Sequence, residues 1–234
     1  MAGIGVKLTN IYKKNTLTTD IIGMGYSMAV TIAPMLVVIG ALIIMEYYLD
    51  FSSVDYLTRE LFSCTVLYIF IFSLLTASAF NSVLSKYMSD IIYEEHYEDI
   101  LPCYYVGMIM NILLSALVGI PFCVHEYLVG GVDILYVFTG YSGYMALVLV
   151  FYSMLYLSIC KDYKKISFFF AIGMTVTVLL SFLLVKRLHW SITYGMLLSL
   201  TIGFWLIACL EMALVRRYFK ENSGRYRPGL AYFK

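Results

Sequence analysis

Few residues in this 234-residue chain could do chemistry, and those that could offer amides, phenols and carboxylates. Asn111 stands in the middle of an apolar run, where an amide facing lipid would leave its hydrogen-bonding groups unsatisfied. It therefore serves either as a bond between helices or as a contact for a polar substrate. Asn81 extends a similar patch made with Thr76 and Ser78. Tyr141 and Tyr144 fall in the segment Gly140-Tyr141-Ser142-Gly143-Tyr144, whose small and hydroxylated residues suit either tight helix packing or a hydrated groove. A sugar ring has an apolar face that stacks on aromatics and hydroxyls that need partners. A tyrosine-lined groove would meet both needs, and core packing accounts for the same residues without a ligand. Asn81, Asn111, Tyr141 and Tyr144 are thus the candidate substrate path.

The absent chemistry narrows the function. His96, His125 and His189 have no ligand spacing around them, so no metal site is expected. The five cysteines are odd in number and show no C-x-x-C pair; packing inside helices accounts for them, with Cys64 and Cys123 near enough to one membrane face to allow one disulfide. The adjacent spacing of Glu94, Glu95 and His96 does not bring ligands onto one helical face. No phosphate-binding loop is present, and no acid or base lies inside an apolar run, so neither a proton relay nor a buried ion site is expected. The reading is of a protein without a cofactor, a nucleic-acid partner or an enzymatic activity.

The elements that must position these residues are membrane helices. The composition is 62% hydrophobic and 13% charged, against about 25% charged in a globular protein, and mean hydropathy is +0.84. Every Asp, Glu, Lys and Arg lies outside six apolar stretches at 21–45, 61–85, 103–124, 134–160, 166–185 and 191–210. About 20 apolar residues at a rise of about 1.5 Å cross a hydrocarbon core of about 30 Å. The expected fold class is all-α and integral to the membrane: a bundle of six transmembrane helices over 21–215, with a head at 1–20 and a tail at 216–234. The first stretch follows a basic head, is longer than a signal-peptide core and has no small-residue cleavage site before Glu46, so it is expected to be retained. Pro34 lies near the middle of that stretch and should kink it, as a static bend or as a hinge.

Charge placement orients the bundle. The head, the 81–102 loop, the 161–165 loop and the tail together carry thirteen Lys and Arg residues, whereas the opposite loops carry three, Arg59, Lys186 and Arg187. The positive-inside rule then puts both termini in the cytoplasm. Lys86, Asp90 and Glu94 recur every four residues, on one face of a helix running out of the second span, with Tyr87, Ile91 and Ile92 opposite. Lys86 and Asp90 suit an ion pair. With Glu95, Glu98 and Asp99 they form an acidic extension, ending at Pro102, that could dock a partner at the cytoplasmic face.

Several of these segments resemble one family. The opening Met-Ala-Gly-Ile-Gly with its basic head, the block Ser73–Pro102 (SLLTASAFNSVLSKYMSDIIYEEHYEDILP) and the segment Met154–Ile166 (MLYLSICKDYKKI) are similar to PelG-type transporters of the Pel exopolysaccharide system. The resemblance extends over essentially the whole chain. It implies a flippase-type architecture of twelve helices in two six-helix lobes, of which this sequence has the first six. A second lobe, or a homodimer, would complete it, and the tail KENSGRYRPGLAYFK would open the linker between lobes. An even number of spans returns the chain to its starting side, which fits lobes related as parallel repeats. The resemblance further implies export of an amino-sugar polysaccharide across a bacterial inner membrane. Its partners would be membrane lipid, a cytoplasmic glycosyltransferase and other Pel-type membrane subunits, one of them responsive to cyclic di-GMP. The alternatives are a lipid-linked oligosaccharide flippase, a small-molecule exporter, or a membrane subunit that only docks the glycosyltransferase.

Overall fold

The computed structural model describes residues 17–94, 99–159 and 163–219, with the backbone alone for 17–31, 89, 92 and 159. The described residues are almost entirely helical. Helix α1 runs Leu17–Tyr48 and keeps Pro34 buried within it. A turn through Asp50, whose φ of 51° is left-handed, leads into one short 3-10 turn at Phe51–Ser53. The Ser53 hydroxyl donates to the Asp50 carbonyl at 2.7 Å and holds that corner closed. Helix α2 then spans Tyr56–Tyr93, α3 Ile100–Leu128, α4 Ile134–Ile159, α5 Tyr163–Phe182 with a π-turn at Leu183–Arg187, and α6 Ile192–Phe219. Pro102 falls in the first turn of α3, where a missing N–H costs nothing.

Five of these helices, α2 to α6, are long and apolar enough to cross a membrane, and the described part of α1, Ile32–Tyr48, is a further apolar helix. The all-helical membrane fold expected from hydropathy is therefore the fold observed. All of the helices but α4 run past their apolar stretches, because backbone hydrogen bonding continues past the hydrocarbon boundary. With 38 residues, α2 extends about 57 Å, well beyond the thickness of a bilayer core.

The packing order differs from the chain order. α4 and α6 form the centre: 56% and 50% of their most apolar windows are buried, against 33% for α2 and 22% for α3. α2 and α3 lie against α4, α5 lies against α6, and α1 reaches across to pack on α5 rather than on α2. The α5–α6 crossing is close because Gly173 and Gly203 face each other. A side chain at Gly203 would overlap Thr177 Oγ1 and meet the Gly173 carbonyl at 3.1 Å. Small residues at a crossing let membrane helices gain dispersion contact where lipid offers no hydrophobic drive.

Polarity is distributed for lipid. Met35, Leu36, Leu113, Leu117 and Phe138 are more than 60% exposed, while Ser73, Asn111, Ser153, Thr177, Ser181 and Ser199 are buried. Several of the buried hydroxyls donate to a carbonyl one turn back, such as Thr177 to Gly173 at 3.0 Å and Ser199 to Gly195 at 2.6 Å. This satisfies them without a partner helix. One expectation is corrected. An acid does lie inside the bundle, because α6 continues past the last apolar stretch and carries Glu211, 0% exposed, into the packed interior.

Candidate functional site

The candidate site is a groove between α2, α3 and α4 near the hairpin that joins α3 to α4. It encloses about 600 Å³ and is open along one side. Tyr68 and Phe72 on α2 are one turn apart and converge on Phe122 of α3, with ring centroids 5.9 and 5.7 Å from it. Tyr136, Tyr141 and Tyr144 line the groove from α4, and Glu60 and Glu126 bring carboxylates to its lining. A second hollow of about 610 Å³ adjoins it, sharing Leu57, Leu61, Val132 and Tyr136 and reaching the start of α6 at Thr193 and Tyr194.

The groove holds its tyrosines in different states. Tyr144 is 5% exposed, and its hydroxyl is 2.8 Å from that of Thr76 on α2, so the phenol is fixed. Tyr136 donates a long bond of 3.5 Å to Thr65 Oγ1. Tyr141 is half-buried, lies 6.2 Å from the Tyr144 ring, and has no hydrogen-bond partner for its hydroxyl among the described residues. Gly119 of α3 makes room for both rings. A Cβ there would stand 2.7 Å from Tyr141 Cε2 and 3.0 Å from Tyr144 Cε1. Behind the groove, Trp205 Nε1 donates to Ser142 Oγ at 2.9 Å and ties α4 to α6.

The four expected path residues divide. Tyr141 and Tyr144 meet in the groove, whereas Asn111 and Asn81 do not line it. Asn111 is fully buried, and its Nδ2 donates to the Gly107 carbonyl of its own helix at 2.9 Å. Its Oδ1 and that of Asn81 are buried without a partner among the described residues. Tyr68, Phe72, Phe122, Tyr136, Gly119, Glu60 and Glu126 complete the groove and had no role in the expected path. The i, i+4 spacing of Tyr68 and Phe72 was the readable signal; the contribution of Phe122 depends on how α3 lies against α2. Cys64 and Cys123 both line this groove as free thiols.

At the other end of α3 and α4 a second tyrosine cluster is closed. Tyr104, Tyr152 and Tyr156 are each 0–1% exposed. Tyr104 and Tyr152 stack at 5.3 Å, and Tyr156 sits edge-on to Tyr104 at 4.8 Å. Tyr152 donates to the Tyr104 carbonyl at 2.8 Å, the Tyr104 hydroxyl is 2.8 Å from Ser153 Oγ, and the Tyr156 hydroxyl is 3.1 Å from that of Tyr152. Every phenol there has a partner, which makes the cluster a bolt between helices.

Of the acidic extension, Lys86 and Asp90 lie in the last turns of α2, Glu94 follows its end, and Asp99 stands at the start of α3. Tyr87 and Ile91 are buried against the bundle, Lys86 and Glu94 are exposed, and Asp90 and Asp99 are half-buried; Glu95 and Glu98 lie outside the described residues. His125 Nδ1 and Glu126 Oε1 lie 3.4 Å apart at the far end of α3.

The chain is a multi-pass helical membrane protein with an open aromatic groove between α2, α3 and α4. The family comparison makes this specific: the chain belongs to the PelG family, "Putative exopolysaccharide Exporter (EPS-E)", whose model matches residues 1–234. No curated protein and no solved structure matches the chain.

Proposed function

We propose that this chain exports an amino-sugar exopolysaccharide, that its six helices act as one lobe of the exporter, and that the α2–α3–α4 groove is a stretch of the glycan path. Membership of an exopolysaccharide exporter family supports the polymer as cargo. The observation that carries the path is the groove itself. Tyr68, Phe72 and Phe122 offer ring faces, and Tyr141 offers a hydroxyl with no protein partner among the described residues. Its volume of about 600 Å³ is within the range of about 300–1,000 Å³ typical of small-ligand sites, enough for a short run of sugar rings. Being open along one side, it acts as one wall, which a second lobe or a second copy would face. With both termini cytoplasmic, the groove lies in the outer half of the membrane.

The test is polymer secretion by cells carrying Tyr68→Ala with Tyr141→Ala. Secretion should fall about tenfold or more while the protein accumulates at the wild-type level, since a ring face and a hydroxyl lost together need contribute only about 1.4 kcal/mol for a tenfold effect. Wild-type secretion by this double variant would remove the groove from the path.

A docking role for the α2 extension has its own support. α2 outruns the bilayer, and Lys86 and Glu94 are exposed at its end. A cytoplasmic glycosyltransferase is the proposed partner. Neutralising Asp90, Glu94, Glu95, Glu98 and Asp99 together should abolish its co-purification; unchanged recovery would leave the extension without this role.

A further inference from the structure

The buried acid on α6 belongs to neither of these surfaces. Glu211 is fully buried, and neither Oε1 nor Oε2 has a hydrogen-bond partner among the described residues. Its neighbours one turn away on α6, Ile207, Ala208 and Val215, are each 0% exposed, so its own helix surrounds it with apolar side chains. α6 packs against α4 and α5 and touches α2 and α3, so side chains of four helices come together around it.

No positive charge reaches it among the described residues. From α3 the titratable group in its electrostatic range is Tyr104, whose hydroxyl is already paired with Ser153. α4 contributes Tyr152 and Tyr156 to this end, both held in the closed cluster. α2 contributes Tyr87, which is buried, and Lys86, which is exposed. Lys165 of α5 donates to the Tyr218 hydroxyl, Lys164 is exposed, and Arg216 and Arg217 point outward from α6 itself.

An ionised carboxylate in such a place has lost its hydration and gained neither a cation nor a hydrogen bond, the costliest state a buried group can adopt. A neutral acid avoids most of that cost. An ionisable residue held inside a membrane bundle at this expense marks a working site more often than a packing residue.

We propose that Glu211 is an internal proton-binding site, occupied while α3, α4 and α6 close around it and emptied when this end of the bundle opens to water. The ligand is the proton. Release is an acid dissociation in which the O–H bond breaks, the electron pair stays on the carboxylate, and water takes the proton. Because the carboxylate is tolerated only when hydrated, losing the proton favours the open arrangement and gaining it favours the closed one. Occupancy of the site is independent of what the chain transports, whereas the coupling to opening rests on the export reading.

Infrared difference spectroscopy of the purified protein in lipid nanodiscs at neutral pH tests occupancy. Wild type minus Glu211→Gln should show a protonated-carboxyl stretch that shifts in deuterium oxide. A carboxylate doublet in its place would overturn the assignment. Should E211Q fail to accumulate, Glu211→Asp keeps the acid and should move the band rather than abolish it, and a spectrum identical to wild type would overturn the assignment equally. Coupling is tested by secretion across a range of cytoplasmic pH. E211Q, neutral throughout, should secrete about tenfold less and lose its pH dependence while keeping its melting temperature. A wild-type pH profile in E211Q would refute the coupling, and the Tyr68–Tyr141 variant reports separately on whether the groove carries glycan.

Discussion

Tyr141 and Tyr152 stand about three turns apart on α4, and their surroundings could hardly differ more. Tyr152 is fully buried, stacked on Tyr104 and bonded to the Tyr104 carbonyl. Tyr141 is half-buried beside a groove of about 600 Å³, and its hydroxyl has no partner among the described residues. The same residue type on the same helix therefore does two jobs. Where α3 and α4 close together, every phenol is spent on holding them. Where they splay apart with α2, ring faces and a hydroxyl remain for something else. A closed polar cluster rigidifies, and an open one is available for recognition.

The sharpest way to break this comparison is to truncate one residue of each kind. Tyr152→Ala removes a stacked ring and a buried bond and should destabilise the bundle by about 3–5 kcal/mol, read as a large fall in melting temperature of the purified protein. Tyr68→Ala, at a position 45% exposed, should cost under about 1 kcal/mol yet lower polymer secretion. Equal stability losses at the two sites would erase the distinction.

Gly119 links groove geometry to packing. Gly119→Ala pushes a methyl into the Tyr141 and Tyr144 rings and should cost about 1–3 kcal/mol, with secretion reduced because the rings turn away from their places. Gly203→Ala at the α5–α6 crossing should cost a similar amount by overlapping Thr177. Its effect on secretion should follow protein level alone, which compares a site change with a scaffold change at matched stability.

Smaller effects separate neighbours within the groove. Tyr144→Phe loses the Thr76 bond and should cost about 0.5–1.5 kcal/mol without changing glycan binding. Tyr141→Phe loses no intramolecular bond among the described residues, so its stability should stay within about 0.5 kcal/mol of wild type while affinity for an oligosaccharide falls. Single-cysteine variants give the finest test. A membrane-impermeant maleimide added from outside the cell should label Cys64, which is exposed and lines the groove, and should not label the buried Cys103. Labelling of Cys64 only after the cells are permeabilised would invert the proposed orientation.

Much of this was legible in the chain. Six apolar stretches announced a helical membrane bundle, because backbone groups in lipid must bond within their own segment and length alone then decides what can span. The Gly140–Tyr144 segment pointed to half of the groove. A mid-span amide signals only that it needs partners: Asn111 Nδ2 found one at the Gly107 carbonyl of its own helix, and its Oδ1 has none among the described residues. Glu211 misled. It stands one residue beyond an apolar stretch, a position that suggests water, and only the length of α6 and the helices around it put the carboxyl in the dark.

By itself the sequence determined the solvent, the helices and the distribution of charge along them, since these depend on residue type and spacing within one segment. The tertiary structure decided which tyrosines are free and which are spent, because that depends on where two helices meet. It decided that α1 packs on α5, that α2, α3 and α4 part to leave a groove, and that an acid is buried with no partner among the described residues. Each of those is a property of side chains from segments far apart in the chain, and no periodicity within one helix encodes the distance to another.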